Sequence, residues 1–466
     1  MCTAAPTRHA ALRRTSFGQL GRSLLGRGLC RSAAVRPIPV PLGRSLCSAA
    51  ARPIRPFLVE RYPGWTAVDR GEAESLTSSE IEPLSLPDLL SYATCAERAE
   101  WEATSLGYAE QPGGWALREA IAEVHYERIR ADQINVMAPQ EGIFLAMHAL
   151  LSPGDAVIYT APAYQSLFEV ARAVGCHVVP WHPRIGPSTA GAPCVTFAAS
   201  DLRRLLDSLA AEGPVGRKLL VVMNLPHNPT GATLTAAEFE GGEEHGSGIG
   251  VVGVCRAHGA HLFVDEMYRG LEHGGVPAGA PGPQAAPPRR LRAACDAYEL
   301  GVSLSGLSKT VGLPGLRIGW LATQDAALLD RVAQLKDYVS VCPPAPSEAL
   351  GRIALRHNER LMERSRAILD ENLGAVGGFL RRHAGLLSLA SQPRGGTFCL
   401  VRVGDLGGGS ASEYASALRG RAGLMLLPSG LFGLRDDSLR LGYGKRGLAR
   451  LLERWSLDLV GHGLRV

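Results

Sequence analysis

The stretch Leu219-Leu-Val-Val-Met-Asn-Leu-Pro-His-Asn-Pro-Thr-Gly231 joins a short apolar run directly to a polar turn. Similar apolar runs occur at Ala156–Tyr159, Cys176–Pro180 and His261–Asp265. Segments with helical periodicity lie between or before them, such as Trp115–Val124 and Gly142–Leu151. This alternation predicts an α/β fold with a mostly parallel sheet covered by helices on both faces. Because ligands bind at the carboxyl ends of such strands, the polar residues after Val222 and Val264 are predicted to face a ligand.

The character of the sequence changes after residue 345. Arg-rich helices are predicted over residues 347–366 and 368–382, followed by apolar strands near Phe398–Val403 and Leu424–Leu427. We therefore predict a large domain over residues 101–345 and a smaller α+β domain over residues 346–466. Residues 56–100 are predicted to form an N-terminal arm.

Two segments are typical of surface insertions, namely the Gly-rich residues 240–250 and the Pro- and Gly-rich residues 274–288. The first begins five residues after Thr235, which opens a capping-box pattern for a helix start. It also contains Gly248, Gly250 and Gly253 in the spacing of dinucleotide-binding loops. No predicted strand precedes these glycines, so a flexible insertion, or an error in the predicted gene, explains them better than a nucleotide site.

The charge of the chain is unevenly distributed. The 466 residues carry a formal net charge of +5, yet ten arginines and no acidic residue occur in the first 55 positions. Arginines interrupt every apolar run of this leader, which excludes a secretory signal. We predict that residues 1–55 are a disordered transit peptide for the mitochondrial matrix, with the plastid as the alternative, and that processing occurs near residues 44–51. A nucleic-acid-binding arm is less favoured, because no basic stripe follows.

Other classes of protein are disfavoured by composition. No apolar run approaches the roughly 18 residues of a membrane span, so no membrane association is predicted. The cysteines after the leader are scattered without a C-x-x-C pair, and the 13 histidines include no H-E-x-x-H motif, so no metal site is predicted. The chain contains only four lysines, at positions 218, 309, 336 and 445. Few candidates therefore exist for any chemistry that needs a lysine.

Four local motifs occur in a fixed order. They are Asn224-Leu-Pro-His-Asn-Pro-Thr-Gly231, Asp265-Glu-Met-Tyr268, Gly306-Leu-Ser-Lys-Thr-Val-Gly-Leu-Pro-Gly-Leu-Arg-Ile-Gly319 and Arg440-Leu-Gly-Tyr-Gly444. With these motifs the sequence resembles the class I/II aminotransferases, fold-type I enzymes that use pyridoxal 5′-phosphate, over roughly residues 85–445. Segments 161–167 and 265–272 are most similar to the branch that contains enzymes of arginine-derived amino-acid metabolism.

The resemblance implies roles for four residues at the reacting end of the cofactor. Lys309 would form the Schiff base with pyridoxal phosphate and then carry a proton, because a primary amine can do both. Asp265 would keep the pyridine nitrogen protonated, so that the ring withdraws electrons. Asn228 and Tyr268 would donate hydrogen bonds to the phenolate oxygen. Asn228 is also a natural turn residue before Pro229, and the two roles are compatible.

The resemblance also implies how the rest of the cofactor is held. Arg317 and Ser308 would bind the phosphate, and Tyr164 would stack on the ring, with a plain core tyrosine as the alternative. The family's phosphate-binding helix start reads Ala138-Pro-Gln-Glu141 here, so the Ala138 and Gln140 amides must serve where Pro139 has none. Tyr108 would reach the phosphate of a neighbouring subunit's site, which implies a homodimer.

Arg440 would bind the substrate α-carboxylate, although a surface arginine is the alternative. The predicted function is therefore transfer of an amino group between an L-amino acid and a 2-oxo acid through a Lys309 Schiff base. Other chemistry on the same cofactor, such as β-elimination or cyclisation, is the first alternative, and a non-catalytic relict is a weaker one. Trp115, His227 and Arg394 are candidates for contact with the substrate side chain, although a loop position explains Arg394 better.

Overall fold

The computed structural model describes residues 51–187, 193–214, 216–241, 249–277, 287–404 and 409–461. The helices are α1 (Gly64–Asp69), α2 (Leu86–Leu90), α3 (Cys95–Glu102), α4 (Trp115–His125), α5 (Pro139–Leu150), α6 (Ser166–Val174), α7 (Ala199–Glu212), α8 (Ala236–Phe239), α9 (Val251–Ala257), α10 (Ala294–Ala297), α11 (Ala326–Lys336), α12 (Ala345–Arg356), α13 (Asn358–Arg382), α14 (Ala411–Ala422) and α15 (Leu448–Gly461). The strands are β1 (Glu74–Ser75), β2 (Ile134–Met137), β3 (Ala156–Thr160), β4 (His177–Trp181), β5 (Arg184–Pro187), β6 (Pro193–Thr196), β7 (Leu219–Asn224), β8 (His261–Asp265), β9 (Gly301–Gly306), β10 (Gly319–Thr323), β11 (Leu387–Leu389), β12 (Phe398–Val403), β13 (Leu424–Met425), β14 (Leu427–Pro428) and β15 (Ser438–Gly442).

A large mixed sheet organises the first part of the fold. Within the described residues its strand order is β2-β10-β9-β8-β7-β3-β4. The neighbours from β9 to β4 are parallel, and Asn224 lies opposite Asp265 at the carboxyl ends of β7 and β8. Only β10 runs against its neighbours, with Gly319 opposite both Met137 and Gly306. The predicted mostly parallel sheet is confirmed, and its strands other than the edge strand β4 are largely buried because helices cover both faces.

Helix starts follow local capping chemistry. The helix predicted at Gly142 begins three residues earlier, because Ala138 is its N-cap and Pro139 takes the first helical position, where a missing N–H costs nothing. The predicted capping box at Thr235 is present, with its side chain accepting from the Glu238 N–H. Helix α8 then ends at Phe239, just before the Gly-rich insertion.

The two predicted insertions fall largely outside the described residues, at 242–248 and 278–286. Gly248 is among them, whereas Gly250 caps α9. The described segment before α9 is helix α8 and not a strand, so the glycine pattern lacks the context of a dinucleotide site.

A second, antiparallel sheet with the order β11-β12-β15-β14 forms the smaller layer. It packs with α13, α14 and α15 around a core that includes Phe379 and Trp455, whose ring centroids are 4.9 Å apart. The predicted arm contributes to this region, because β1 pairs in parallel with β13, placing Glu74 opposite Leu424. Among the described residues, both sheets lie in one compact unit.

The last residues of the predicted leader are part of the folded chain. The Arg52 N–H donates to Ala173 O at 2.8 Å, and the Arg55 side chain forms an ion pair with Glu169 on α6 at 2.6 Å. Residues 1–50 of the predicted leader lie outside the described residues, whereas residues 51–55 are described and contact α6, and the leader with its end stays a prediction. Among the described helices, none is both long and apolar enough to cross a membrane.

Candidate active site

A cavity of about 670 Å³ opens at the carboxyl ends of the parallel strands. Nine of the predicted site residues line it, namely Gln140, Tyr164, Asn228, Asp265, Tyr268, Ser308, Lys309, Arg317 and Arg440. They come from loops that follow β3, β7, β8 and β9, from the start of α5 and from strand β15. Residues distant in sequence thus meet at the edge of the sheet where a ligand was predicted.

Lys309 lies three residues after β9, and its Nζ donates a hydrogen bond to Ser79 Oγ at 2.9 Å. The Nζ atom is also 3.6 Å from a carboxylate oxygen of Glu80. Burial lowers the pKa of Lys309, Arg440 adds to this effect, and Glu80 and Asp265 oppose it. A lowered pKa increases the neutral fraction of the amine, which is the form that acts as a nucleophile or base.

Asp265 ends β8 and is buried, and its Oδ1 accepts the Met267 N–H at 3.1 Å. Burial raises the pKa of Asp265 to about 7, although the Met267 bond and the charge of Lys309 act in the opposite direction. No ion pair with a described residue compensates its charge. A buried carboxylate in this state is stabilised by a ligand that brings a protonated nitrogen.

Arg440 is held in a buried network with residues from both parts of the fold. Its guanidinium donates to Asn228 Oδ1 at 3.0 Å and to Thr77 O at 2.9 Å. The Asn228 N–H in turn donates to Asn224 Oδ1 at 2.7 Å. The aromatic rings of Phe398 and Phe432 lie 5.7 and 5.2 Å from the guanidinium. The cation is therefore fixed in orientation, as recognition of a carboxylate requires.

Ser308 and Arg317 mark another part of the cavity lining. Ser308 Oγ is buried and has no hydrogen-bond partner in the structure. Arg317 has a left-handed backbone, with φ of +57°, and its guanidinium contacts Pro314 O at 3.2 Å. Pro139 and Gln140, in the first turn of α5, also line the cavity. A hydroxyl, a guanidinium and a helix N-terminus together favour a phosphate.

Two tyrosines complete the cavity. Tyr164 is half-buried, its ring lies 4.9 Å from that of Phe57, and its hydroxyl donates to Glu60 at 3.3 Å. Tyr268 is buried, with its ring edge-on to Phe398 at 5.0 Å. Burial raises the pKa of both phenols, so both remain protonated donors at neutral pH.

Two predicted cofactor contacts are absent from the cavity of this chain. Ala138 caps α5 but does not line the cavity, to which the first turns of α5 contribute Pro139, Gln140 and Ile143. Tyr108 is 93% exposed and lines a separate surface depression beside Trp115. Within one subunit, the loop before α4 leads away from the site and Tyr108 does not reach it.

The three candidates for substrate side-chain contact also lie elsewhere. His227 is buried, with Nδ1 2.8 Å from Thr230 Oγ1 and Nε2 2.7 Å from Pro162 O. Trp115 starts α4 at the surface, and the Arg394 backbone N–H donates to Gly231 O at 2.7 Å. None of the three lines this cavity of the described chain, so their contact with a substrate stays a prediction.

Sequence reasoning missed a wall of the cavity that comes from the arm. Phe57, Val59, Glu60 and Trp65 line it, followed by residues 77–80. These positions carry no periodic pattern or chemical motif, and they precede the segment that resembles a known family. Their placement depends on long-range pairing, such as that of β1 with β13, which no local signal reveals.

The residues present fit pyridoxal phosphate. The buried carboxyl group of Asp265 can pair with the ring nitrogen. The unpartnered Ser308 hydroxyl and the Arg317 guanidinium can bind the phosphate, and Lys309 lines the same cavity. The buried Ser308 hydroxyl is the strongest indication of a bound ligand, because a buried hydroxyl without a hydrogen-bond partner is unfavourable unless a ligand supplies one.

Comparison with known proteins agrees with this fit. The family model described as "Aminotransferase class I and II" matches residues 90–454. Capreomycidine synthase of Streptomyces vinaceus is 27% identical over 89% of this chain and 96% of its own length. An arginine–pyruvate transaminase of Pseudomonas aeruginosa is 29% identical over 70% of this chain and 75% of its own. A PLP-dependent aminotransferase structure from Streptococcus suis has a TM-score of 0.71 at 24% identity, covering 88% and 98% of the two chains.

The fold and the site define a fold-type I enzyme that uses pyridoxal phosphate. The chain belongs to the class I and II aminotransferase family. Its activity is transfer of an amino group between an L-amino acid and a 2-oxo acid, as the sequence predicted.

Proposed function

We propose that Lys309 is the residue that binds the cofactor and carries the proton in this transamination. Bound pyridoxal phosphate supplies an electron-withdrawing ring that stabilises negative charge at the substrate Cα. The Lys309 amine would hold the cofactor aldehyde and, once the substrate displaces it, take the proton from that carbon. The observation that carries the proposal is the position of Lys309 in one cavity with Asp265, Arg440 and the unpartnered Ser308 hydroxyl.

The surrounding residues would fix the reacting groups. Asp265 would pair with the ring nitrogen, and Ser308 and Arg317 would hold the phosphate, with the Gln140 amide at the α5 N-terminus. Asn228 and Tyr268 would donate to the phenolate oxygen, and Tyr164 would stack on the ring. Arg440 donates a hydrogen bond to Asn228, so a substrate carboxylate bound to Arg440 would lie next to the cofactor. Orientation of the substrate in this way accounts for a large share of the rate.

The decisive experiment replaces Lys309 by Ala. We expect loss of the visible absorbance of the lysine-bound cofactor and a fall of at least about 10⁴-fold in transfer of an isotopically labelled amino nitrogen to a 2-oxo acid. Lys218→Arg is the matched control, because Lys218 bonds Leu150 O outside the cavity. Transfer by Lys309→Ala at the wild-type rate would remove this proposal.

The first substrates to test are suggested by the relatives. The transaminase from Pseudomonas is named for arginine and pyruvate, so we propose this pair as the first donor and acceptor. Capreomycidine synthase matches more of the chain, and its name favours a second candidate in which the bound cofactor serves a reaction other than amino transfer. Mass spectrometry distinguishes the two, because transamination yields the 2-oxo acid of the donor together with alanine, whereas the alternative leaves pyruvate unconverted.

We propose that the working unit is a homodimer in which Tyr108 completes the partner's site. Large apolar side chains are exposed in two segments, with Leu106 at 85%, Tyr108 at 93% and Tyr338 at 92%. Gln111 joins these segments, since its Nε2 donates to Ala333 O at 2.7 Å. Exposed apolar groups of this size favour burial against a second chain. Sedimentation at low micromolar concentration should give twice the mass of one chain, and a single-chain mass would oppose the proposal.

We also propose that the basic leader directs the chain to the mitochondrial matrix. The support is its arginine-rich, acid-free composition, which is typical of organelle transit peptides. Fusion of residues 1–51 to a fluorescent protein should target it to mitochondria. Plastid targeting would support the alternative, and a diffuse signal would oppose both.

A further inference from the structure

The cavity contains more negative charge than the proposed function uses. Its charged lining residues are Glu60, Glu80 and Asp265 on the acidic side and Lys309, Arg317 and Arg440 on the basic side. Each of the three cations has a task with cofactor or substrate, and Asp265 is assigned to the ring nitrogen. Two glutamates remain without a role.

The charge of Glu80 is already balanced by the protein. One carboxylate oxygen lies 3.0 Å from Lys445 Nζ and the other 3.6 Å from Lys309 Nζ. Burial alone would raise the pKa of Glu80, but these two lysines hold it below its usual value. Glu80 is therefore an internal counter-ion and is not available to a ligand.

Glu60 differs because no described cation forms an ion pair with it. Its Oε1 accepts a hydrogen bond from the Tyr164 hydroxyl at 3.3 Å. The residue is exposed and yet lines the cavity, so its carboxylate lies at the opening, on the wall that carries Tyr164. Glu60 is thus an anionic group at the entrance that forms no close ion pair with a described residue, while the charges of Lys309 and Arg440 act on it at longer range.

The arm that carries Glu60 is held in place by α6. The Leu58 N–H donates to Gln165 Oε1 at 2.9 Å, and Gln165 Nε2 donates to Pro56 O at 2.9 Å. On the other side, Trp65 Nε1 donates to Val59 O at 2.7 Å. Glu60 is consequently presented from an anchored segment with an apolar surface beside it, and binding at a pre-formed position costs less entropy.

The arginines of the cavity constrain how a substrate can be oriented in it. Arg440 would take the α-carboxylate, and Arg317 the phosphate. The cavity lining contains no third arginine for a second carboxylate on the substrate, within the residues that the structure describes. A substrate with an acidic side chain would therefore meet Glu60, whereas a basic side chain with an aliphatic stem would match both the apolar wall and the free carboxylate.

We infer that Glu60 determines substrate specificity by binding the cationic end of the side chain of a basic amino acid, an amino or guanidino group. This inference rests on the proposed transamination, and it adds the residue that selects a basic side chain. Arg440 and Glu60 then recognise the two charged ends of the substrate, while Lys309 acts on the carbon near Arg440.

The test compares L-arginine, L-norleucine and L-glutamate as amino donors for the holoenzyme. For Glu60→Gln we expect kcat/KM for arginine to fall at least about tenfold, the effect of losing one charge-assisted contact, with norleucine changed less than about twofold. The matched control is Glu72→Gln, an exposed arm residue outside the cavity lining, which should leave all three donors unchanged. Glu60→Lys should invert the preference and favour glutamate over arginine.

Equal losses for arginine and norleucine in Glu60→Gln, or a wild-type preference for glutamate, would overturn the inference. Calorimetric binding of arginine to the wild-type holoenzyme and to Glu60→Gln is a second measurement that does not require turnover. Weaker arginine binding in Glu60→Gln without any amino transfer would contradict the proposed function and retain the role of Glu60. Amino transfer from all three donors that Glu60→Gln leaves unchanged would support the proposed function and contradict the role of Glu60. The cofactor absorbance should be the same in all three variants and the wild type.

Discussion

Asp265 shows how burial prepares a residue for a ligand. Its pKa in the cofactor-free chain is raised to about 7 by burial, compared with 3.8 for the ordinary side chain. A raised pKa means that the folded state binds the proton more tightly than the unfolded state. The corresponding stability is present below about pH 4 and is lost as the pH rises through about 7, with an upper limit of about 4 kcal/mol.

The first prediction uses this dependence. Urea unfolding of the cofactor-free protein should show that the wild type loses stability between pH 5 and pH 8 relative to Asp265→Asn, which cannot titrate. With the cofactor bound, the wild type should be more stable than Asp265→Asn, because the ring nitrogen would pair with the carboxylate and not with the amide. An identical pH dependence in both cofactor-free proteins would show that Asp265 titrates normally.

Arg440 depends on geometry as much as on charge. Its fork bonds Asn228 and Thr77 at the same time, which a lysine cannot reproduce. We predict that Arg440→Lys raises KM for the amino donor about 10- to 100-fold, as expected for loss of a charged hydrogen bond, and shifts the cofactor absorbance little. Arg402→Lys on the adjacent strand is the control, since that side chain is exposed. A normal KM in Arg440→Lys would place the carboxylate elsewhere.

At the scale of elements, the site depends on the close approach of β10 to the start of α5. A Cβ atom at Gly319 would lie 2.6 Å from Pro139 Cγ and 2.8 Å from Ser305 O. Because Pro139 begins α5, any side chain at position 319 must move the helix N-terminus that lines the phosphate end of the cavity. Packing here is thus coupled to cofactor binding.

We therefore predict that Gly319→Ala destabilises the protein by about 1–3 kcal/mol and weakens cofactor binding. Gly315→Ala is a matched control, because a Cβ there would have no neighbour within 4 Å. Thermal unfolding and titration with pyridoxal phosphate measure the two effects. If both variants bind the cofactor equally tightly, the helix start does not contribute to the phosphate site.

At the scale of the whole molecule, the proposed dimer allows complementation between two inactive variants. Tyr108→Ala should weaken the partner's phosphate site, while Lys309→Ala inactivates its own subunit. In a mixed dimer one site carries both changes and the other carries neither, so refolding equal amounts together should restore about a quarter of the wild-type activity. The separate variants are the controls. If mixing restores nothing although mixed dimers form, Tyr108 does not act across the interface.

Much of the site was predictable because its chemistry is local. Lys309, Asp265 and Asn228 stand in motifs whose short spacing reports a strand end, a turn or a lysine attachment loop, and the structure brings them into one cavity. His227 and Trp115 are close to the motifs in sequence, but neither lines the cavity. Proximity in sequence does not fix the direction of a side chain, and His227 is buried behind the site.

The sequence by itself determined the sheet, the family and the residues proposed for the cofactor, because apolar periodicity and short motifs are properties of adjacent residues. Only the tertiary structure decided that the arm forms a wall of the cavity, that Glu60 lies there without a close ion pair to a described residue, and that Thr77 fixes Arg440. These features arise from contacts between segments more than 100 residues apart, such as those of Arg55 with Glu169 and of Thr77 with Arg440. Their free energy depends on the packed fold, and no local pattern encodes it.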